Sequence, residues 1–375
     1  MTRATLDTLT VAEPTYRDAE HAPINAAFTT ALPATCLACT SAQYDALCSL
    51  GMGPALPPHA VIHVLPPGGV TFRRMHTQWR ALSPFTAQSG VTRLLLLSAG
   101  PETLFVARML VIRRPDLHIH AVMHNMSSIA GWRSRDPRRR WIDMQAALRL
   151  ANHPRIHLVV LEHYIATAAS QGGPNWPRIA NTFTVWPHPT LAHEHMPPTA
   201  WTPGDRLRLT IPGVASRDKG FDAILALAAA APQHDWYVTG RLGAEYQDAA
   251  IPIPSADGRL SRLAYLAALR RADYAVLAHQ PAYDLTASGS ILDCVTNGIP
   301  LIALSSPAIT ALSAEYGPLG YIVPDRAAAE ALLHNPALRD PAAYAGFQRS
   351  MRALHNSRTP AALAPLLRRD LGLPI

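Results

Sequence analysis

Long uninterrupted hydrophobic runs are missing from this sequence of 375 residues. The longest apolar stretch, LLLLSAGPETLFVARMLVI, is broken by Pro101, Glu102 and Arg108, whereas a membrane-spanning helix needs about 20 apolar residues. The N-terminal residues, MTRATLDTLTVAEP, do not show a basic segment followed by an apolar one, which is the pattern of a signal peptide. These absences predict a cytoplasmic protein.

Cysteine is scarce, with four residues in the whole chain, so a disulfide framework is not expected. Cys36 and Cys39 form a CxxC pair, but no second pair follows at zinc-finger spacing, and we expect buried strand thiols. Charged residues make up 16% of the chain and hydrophobic residues 49%, which is typical of a globular protein. The net charge of +7 favours anionic partners: phosphates, nucleotides, acidic membranes or nucleic acid.

Strand and helix patterns alternate along both halves of the chain, which predicts the α/β class with doubly wound parallel sheets covered on both faces. The length suits two domains of about 150–200 residues. The alternation stops in the proline-rich stretch 182–205, so we predict an N-terminal domain at 1–185, a linker at 186–205, a second domain at 206–355 and a helical tail at 356–375. In such sheets the ligand lies past the carboxyl ends of the strands.

Two details of the first half are predicted from local signals. The segment PRRRWIDMQAALRLANH reads as a helix that has Asp136 as its N-cap and Pro137 at its first position. RIHLVVLEH reads as the last strand before the linker.

The stretch TASGSILDCVTNGIPLIAL indicates an anion site in the second half. Ser288, Gly289 and Ser290 precede a helix whose free N–H groups and dipole favour a phosphate. We expect Asp293 in the first helical turn, where the same dipole favours it and where it can accept hydrogen bonds from ribose hydroxyls. The alternative is that Asp293 is only a favourable helix charge, with Ser288 or Ser290 as the cap.

A second anion-suited loop lies in PGVASRDKGFDAIL, after the first strand of the second half. Arg217 and Lys219 are expected to project to one edge, where a diphosphate needs cations. The alternative is an exposed turn.

Taken in order, PGVASRDKGFDAIL, RRADYAVLAHQ and SGSILDCVTNGIPLIAL make residues 207–305 resemble the nucleotide-sugar-binding domain of GT-B glycosyltransferases, particularly the family 4 group of bacterial polysaccharide enzymes. More loosely, VAEPTYRDAEHAPINAAFTTAL is similar to their first strand, acceptor-side loop and helix. IHAVMHNM resembles a strand end whose histidine approaches the donor sugar. The resemblance implies a GT-B fold, in which two Rossmann-like doubly wound domains face each other across a cleft.

The resemblance also implies roles for individual residues. Lys219 and Arg217 would hold the donor diphosphate, Gly289 and Ser290 would offer N–H groups to a phosphate, and Asp293 would bind the ribose. The paired acids of retaining members would fall at Leu285 and Asp293, with Asp284 beside the first. His124 would approach the donor sugar, and His21 and Asn25 would lie in the acceptor-side loop.

A transferase that inverts stereochemistry needs a base for the acceptor hydroxyl. The candidates are His21, Asp18 and His124, with Glu20 as a further one, and a structural role for either histidine is the alternative. Further residues are predicted to line the cleft: Asn25, Asn125, Gly240, Asp284 and His188.

Two polar clusters need separate interpretations. HPTLAHEH contains His188, His193, Glu194 and His195, whose side chains suit zinc, but no HExxH helix exists and we predict no metal. The segment RSRDPRRRWIDM is a solvated helix face or a basic surface that contacts anionic lipid. We predict no nucleic-acid partner, because no nucleic-acid-binding module surrounds this segment.

The sequence therefore predicts a glycosyltransferase that moves a sugar from a UDP- or GDP-linked donor to a glycan or polyprenyl-linked acceptor, in exopolysaccharide or cell-envelope assembly. No cofactor is expected, and the predicted location is the cytoplasm at the inner face of the cell membrane. The alternatives are a nucleotide-sugar epimerase of the same fold, a catalytically inactive GT-B partner subunit, and a basic membrane- or nucleic-acid-binding protein.

Overall fold

The computed structural model describes residues 8–17, 19, 21–65, 72–88, 90–124, 126, 143–173, 176–191, 194, 201–256 and 260–374. The chain divides into two compact units. The first comprises Met1–Leu191, Leu285–Ala287 and Arg358–Ile375, and the second comprises Ala192–Asp284 and Ser288–Ser357. None of the helices in the described ranges is long and apolar enough to cross a membrane.

The first unit is built on a seven-stranded sheet in which all neighbouring strands are parallel, in the order β3-β2-β1-β4-β5-β6-β7. Its strands are β1 Thr8–Ala12, β2 Cys36–Cys39, β3 His59–Val61, β4 Val91–Leu96, β5 His118–Met123, β6 Ile156–Leu161 and β7 Phe183–Trp186. Its helices are α1 Ala22–Ala31, α2 Ser41–Leu47, α3 Phe72–Ala87, α4 Pro101–Arg113, α5 Met144–Ala151, α6 His163–Gln171 and α13 Pro360–Asp370.

The second unit has a five-stranded parallel sheet in the order β12-β11-β10-β8-β9. Its strands are β8 Arg208–Ala215, β9 Asp235–Leu242, β10 Tyr274–Leu277, β11 Leu301–Leu304 and β12 Gly320–Val323. Its helices are α7 Phe221–Ala230, α8 Arg262–Leu269, α9 Gly289–Thr296, α10 Pro307–Tyr316, α11 Arg326–Leu333 and α12 Pro341–Ser357.

Central strands in both units are continuous apolar runs, because both of their faces are covered by helices. IHLVVL of β6 and YAVL of β10 are buried almost throughout. The predicted α/β class with two parallel sheets is confirmed, and the CxxC pair lies in β2, where burial raises the pKa of the Cys39 thiol to about 12.

The prediction for the end of the first half was wrong in two places. Strand β7 follows β6 and pairs with it in parallel, although its residues fall in the proline-rich stretch where the alternation was expected to stop. The predicted helix is not continuous, because Asp143 has an extended backbone and its carboxylate caps helix α5, which begins at Met144, by accepting from the Ala146 N–H at 2.7 Å. Asp136 and Pro137 lie outside the described residues.

The C-terminal residues complete the core of the first unit. Leu363 and Leu367 of α13 belong to the same buried cluster as Phe28 of α1. Just before α13, Arg358 forms a buried ion pair with Glu162, with 2.6 Å between Nη1 and Oε1. The segment predicted as a separate tail is therefore a structural part of this unit.

Strand order places one topological switch point in each sheet. The first lies between β1 and β4, and the second lies between β8 and β10, because the connections leave these pairs in opposite directions. Loops at the carboxyl ends of such neighbouring strands form the ligand site of doubly wound sheets. These two places are where functional residues are sought.

Candidate functional site

Lys219 is the centre of the site in the second unit. It lies in a short 3₁₀ turn after β8, and its Nζ donates to the Ser290 Oγ at 2.9 Å. The contact depends on Gly213, whose backbone φ is +78° and where a Cβ would lie 2.7 Å from the Ser290 Oγ. Lys219 is also the only lysine of the chain, since the other cations of its 33 Lys and Arg are arginines.

The N-terminus of helix α9 lies beside this lysine. Ser288 occupies the N-cap position but makes no capping hydrogen bond, and its buried Oγ lacks a hydrogen-bond partner among the described residues. Gly289 begins the helix, and outside its own helix and chain neighbours no atom of the described residues lies within 4 Å of the position that a Cβ would occupy. The first N–H groups of a helix have no intrahelical acceptor, so the arrangement offers donors, a cation and open space to an anion.

His279 and Tyr283 belong to the same constellation, and the sequence analysis missed both. Their ring centroids are 4.5 Å apart, and the Lys219 Nζ lies 5.8 Å from the Tyr283 ring centroid. Burial, helped by the Lys219 charge, lowers the pKa of His279 to about 3. Its position directly after the buried strand β10 was the available signal.

Asp293 differs from its prediction. It is the fifth residue of α9, and the first turn contains no acidic residue, so the helix dipole is not its main partner. Instead its Oδ1 accepts from Arg262 at 2.7 Å, and Arg262 also forms two hydrogen bonds with Glu194 at 2.9 and 2.5 Å. Its side chain keeps 20% exposure, and the ribose role stays a prediction.

The other predicted residues of the second unit fall into different surroundings. Arg217 does not share the environment of Lys219: its side chain is 73% exposed and lies 3.6 Å from Asp222. Gly240 lies in β9 opposite Gly213 of β8, where a Cβ would lie 2.1 Å from the Gly213 carbonyl oxygen. Burial raises the pKa of the Asp284 carboxyl to about 6, a value that suits proton transfer near neutral pH.

A buried carboxylate organises the site in the first unit, and the sequence analysis missed it. Glu13 directly follows β1, is fully buried, and accepts from the Thr15 and Tyr16 N–H groups at 2.9 and 3.1 Å. Asn25 Nδ2 and Ser98 Oγ complete its shell at 2.9 and 2.8 Å. Asn25 was predicted in a loop, but it lies in helix α1, and its amide group donates a hydrogen bond to the Glu13 carboxylate.

The first unit also contains a group of three histidines, His21, His124 and His188. The His21 ring lies between Tyr16 and His124, with centroid distances of 4.2 and 4.3 Å. His21 has a left-handed backbone, and its buried Nδ1 has no hydrogen-bond partner within the described ranges. The His124 Nε2 lies 2.6 Å from the Leu97 carbonyl oxygen, and the His188 Nδ1 lies 3.0 Å from the Pro189 carbonyl oxygen.

The histidines of this group disfavour each other's charge. Burial, with His188 as a second cause, lowers the pKa of His21 to about 4. Burial, with His21 and His188 as further causes, lowers the pKa of His124 well below its usual value. Burial therefore favours the neutral form of both rings.

Several predicted residues lie outside the described residues: Asp18, Glu20, Asn125, His193, His195 and the arginine segment 133–140. Asp18 and Asn125 remain predictions. Leu285, the position of the first family acid, is fully buried and its carbonyl oxygen accepts from the Met126 N–H at 3.1 Å, so it serves the core. In the described part of the chain no group of three potential ligands is placed to bind a metal, and Glu194 is engaged with Arg262.

Buried neutral histidines predict a loss of stability in acid. His120, which stacks on His157 at 4.4 Å, has its pKa lowered to about 3, mainly by burial. Because an unfolded histidine binds a proton below about pH 6.5 and the folded one does not until about pH 3, the free energy of unfolding falls across that window. Each such histidine contributes a loss of about 2 kcal/mol between pH 7.5 and 5.

Urea unfolding at pH 7.5, 6 and 5 tests this expectation with His120→Gln against the control His76→Gln, a change at an exposed residue of α3. The acid loss should shrink by about 2 kcal/mol in His120→Gln only. Burial raises the pKa of Glu13, so this group increases the free energy of unfolding as the pH falls. Its contribution is the same in both variants and cancels when they are compared. Equal losses in the two variants would contradict the assignment.

Comparison with solved structures decides the fold. Sucrose-phosphate synthase from Thermosynechococcus elongatus matches with a TM-score of 0.72 at 14% identity, over 97% of this chain and 99% of that one. HepE from Anabaena, in complex with UDP and glucose, matches with a TM-score of 0.67 at 13% identity, over 97% and 99% of the two chains. The chain has the GT-B fold. The GT-B fold that the sequence resemblance implied is therefore confirmed.

Other comparisons agree with this fold. A glycosyltransferase from Rickettsia africae matches with a TM-score of 0.63 at 12% identity, over 98% and 97% of the chains. An enzyme described as a UDP-N-acetylglucosamine 2-epimerase, from Listeria monocytogenes, has a lower TM-score of 0.54 at 13% identity, over 96% and 95%. No family model and no curated protein matches the sequence. The TM-scores establish the GT-B fold. Identities this low do not show which reaction the protein catalyses.

Proposed function

We propose that this GT-B protein transfers a sugar from a nucleoside-diphosphate donor, UDP- or GDP-linked, to an acceptor hydroxyl. The observation that carries the proposal is the contact of the Lys219 Nζ with the Ser290 Oγ at 2.9 Å, beside the N-terminus of α9. In the reaction, the bond from the anomeric carbon to the diphosphate oxygen breaks as the acceptor oxygen bonds to that carbon. The diphosphate takes the bonding electrons.

The charge that develops on the leaving diphosphate needs fixed positive partners. Lys219 supplies one, and the N–H groups at Gly289 and Ser290 supply dipoles that require no rearrangement. Asp293 remains the proposed ribose ligand, with Arg262 holding its Oδ1 and so fixing the carboxylate. That HepE was solved with UDP and glucose supports this donor class.

The acceptor hydroxyl must lose its proton. His21 and His124 are the proposed bases, because both rings are held neutral and the His21 Nδ1 is uncommitted among the described residues. Asp18 remains a further candidate from the sequence. His188, whose charge would lower the pKa of either ring further, remains a proposed residue of the cleft.

We further propose a glycan or lipid-linked acceptor, in polysaccharide or envelope assembly at the inner face of the membrane. Phe72 on α3 and Ile112 on α4 are 59% and 63% exposed, and Arg73 and Arg113 next to them are also exposed. Exposed apolar and basic side chains together favour anionic lipid surfaces. Co-sedimentation with anionic and neutral vesicles at two salt concentrations tests this, and equal binding to both would contradict it.

The transfer reaction is tested by nucleotide release from UDP- and GDP-sugars, with and without a glycan acceptor mixture. Release of UDP or GDP only with acceptor supports transfer. A changed sugar without any acceptor favours the epimerase alternative, which the lower-scoring epimerase neighbour keeps in view. Absence of any nucleotide binding by calorimetry would remove the donor assignment and favour an inactive partner subunit.

A further inference from the structure

A pocket of about 540 Å³ opens in the first unit, outside the donor constellation. It lies past the carboxyl ends of β1, β2 and β3, and its lining includes Thr15, Tyr16, Arg17, Thr40, Ser41 and His63. The volume falls within the range of about 300–1,000 Å³ that small-molecule sites occupy. We call this the β1–β3 pocket.

The described lining of the β1–β3 pocket contains a cation, Arg17. Arg17 and His63 are exposed side chains in its lining, and the lining residues include no carboxylate. Within the described ranges no acidic side chain forms an ion pair with Arg17. An arginine fork without a carboxylate partner among the described residues is suited to bind a planar or tetrahedral oxyanion with two hydrogen bonds.

The loop that carries Arg17 is fixed before any ligand arrives. The buried Glu13 carboxylate holds the Thr15 and Tyr16 N–H groups, and the Thr40 Oγ donates to the Arg17 carbonyl oxygen at 2.6 Å. Thr40 in turn caps α2 by accepting from the Gln43 N–H at 3.1 Å. Anchoring of this kind lowers the conformational cost of binding, and it distinguishes Arg17 from an arginine on a free loop.

The β1–β3 pocket borders the histidine pair. Tyr16 is part of its lining, and the Tyr16 ring centroid lies 4.2 Å from that of His21, which lies 4.3 Å from that of His124. A sugar in this pocket would therefore be one aromatic ring away from the proposed bases.

We propose that the β1–β3 pocket binds a sugar bearing an acidic group, either a phosphate ester or a uronic carboxylate, with Arg17 as the counter-ion. If the proposed glycosyl transfer holds, this sugar is the reacting end of the acceptor. The serine and threonine hydroxyls of the lining then hold sugar hydroxyls, and the acidic group sets the acceptor's orientation. The acceptor class is thereby narrowed to anionic saccharides.

The test measures binding of three probes to the full chain by calorimetry: glucose 6-phosphate, glucuronate and glucose. We expect at least one acidic sugar to bind more tightly than glucose. Arg17→Gln should weaken that binding about tenfold or more, since a charge-assisted bidentate contact is lost. The matched control Arg80→Gln, an exposed residue of α3, should leave the dissociation constant unchanged, and the melting temperature of both variants should equal that of the wild type.

The two acidic probes separate the sources of the anion: tighter glucose 6-phosphate indicates a phosphate ester, and tighter glucuronate indicates a uronic acid. No preference for either acid over glucose would overturn the proposal, as would acid binding that Arg17→Gln leaves intact. The donor site is read separately, by the rise in melting temperature with UDP. If an acidic sugar binds but UDP does not raise the melting temperature, the transfer proposal fails and the acidic-sugar proposal stands. If UDP raises the melting temperature but no acidic sugar binds, the acidic-sugar proposal fails and the transfer proposal stands.

Discussion

Replacing Lys219 with methionine will lower the rate of glycosyl transfer by about 100-fold or more and will abolish the rise in melting temperature caused by UDP. The change keeps most of the side chain's length and removes the charged amine that donates to the Ser290 Oγ. Loss of one preorganised donor to a developing oxyanion typically costs about 100- to 1,000-fold in kcat. A lysine that already contacts the Ser290 Oγ at the N-terminus of α9 is in place for that role.

Two further variants, Lys219→Arg and Arg217→Met, test the same site. Lys219→Arg keeps the charge, but it replaces the compact ammonium that donates to the Ser290 Oγ with a planar guanidinium of different geometry. We therefore expect only partial recovery of activity. Arg217→Met should change the rate by less than about threefold, because the Arg217 side chain is 73% exposed and is engaged with Asp222 and Tyr246. Full activity of Lys219→Met, or a larger effect at Arg217, would contradict the site.

The chain also allows a direct measurement at this residue. Since Lys219 is the only lysine, reductive methylation with ¹³C-formaldehyde labels one side-chain amine in addition to the N-terminus. Addition of UDP should shift that single side-chain signal in the NMR spectrum. Glucose, which lacks a phosphate, serves as the control and should leave it in place.

Gly240→Ala will lower the free energy of unfolding of the second unit by about 4 kcal/mol. An added Cβ would lie 2.1 Å from the Gly213 carbonyl oxygen of the paired strand, and the backbone φ of +132° is strained for any other residue. Overpacking costs about 1–3 kcal/mol and such backbone strain about 1–3 kcal/mol more. Urea unfolding followed by tryptophan fluorescence, to which Trp236 in β9 contributes, measures the loss.

Gly289→Ala is the matched control for that substitution. It makes the same chemical change in the same unit, but no atom lies within 4 Å of the added Cβ. Stability should be unchanged or raised by about 0.5 kcal/mol, whereas UDP binding should weaken because the methyl group occupies the open space at the helix N-terminus. Equal stability losses at the two glycines would show that the strand contact at Gly240 is not what requires glycine.

Local signals predicted much of the fold. The continuous apolar runs of β4, β6 and β10 and the helical period of α3 and α4 were visible because burial acts on neighbouring residues. Strand β7 was missed because the prolines after Trp186 resemble a linker, although the strand is specified by pairing with β6. Residues 307–357 form three helices and a strand that the sequence analysis did not assign, although Pro307 at the start of α10 and Asp325 as the cap of α11 were local signals.

Some residues of the candidate site could be predicted from local sequence, and others could not. Lys219 and Ser290 were predicted from their loops, and the structure brings them together. Asp293 was misplaced by one turn, and its ion pair with Arg262 joins residues 31 positions apart that no local pattern connects. Glu13 and His279 stand directly after strands and had a positional signal. Their roles depend on hydrogen bonds and burial that only the folded chain reveals.

The return of the C-terminus to the first unit has a consequence for synthesis on the ribosome. The core around Phe28 includes Leu363, Leu367 and Leu371, and Arg358 neutralises the buried Glu162. A nascent chain that has only its first half exposed therefore holds an uncovered apolar face and an uncompensated carboxylate. The folding of the first unit is therefore complete only after helix α13 has emerged from the ribosome.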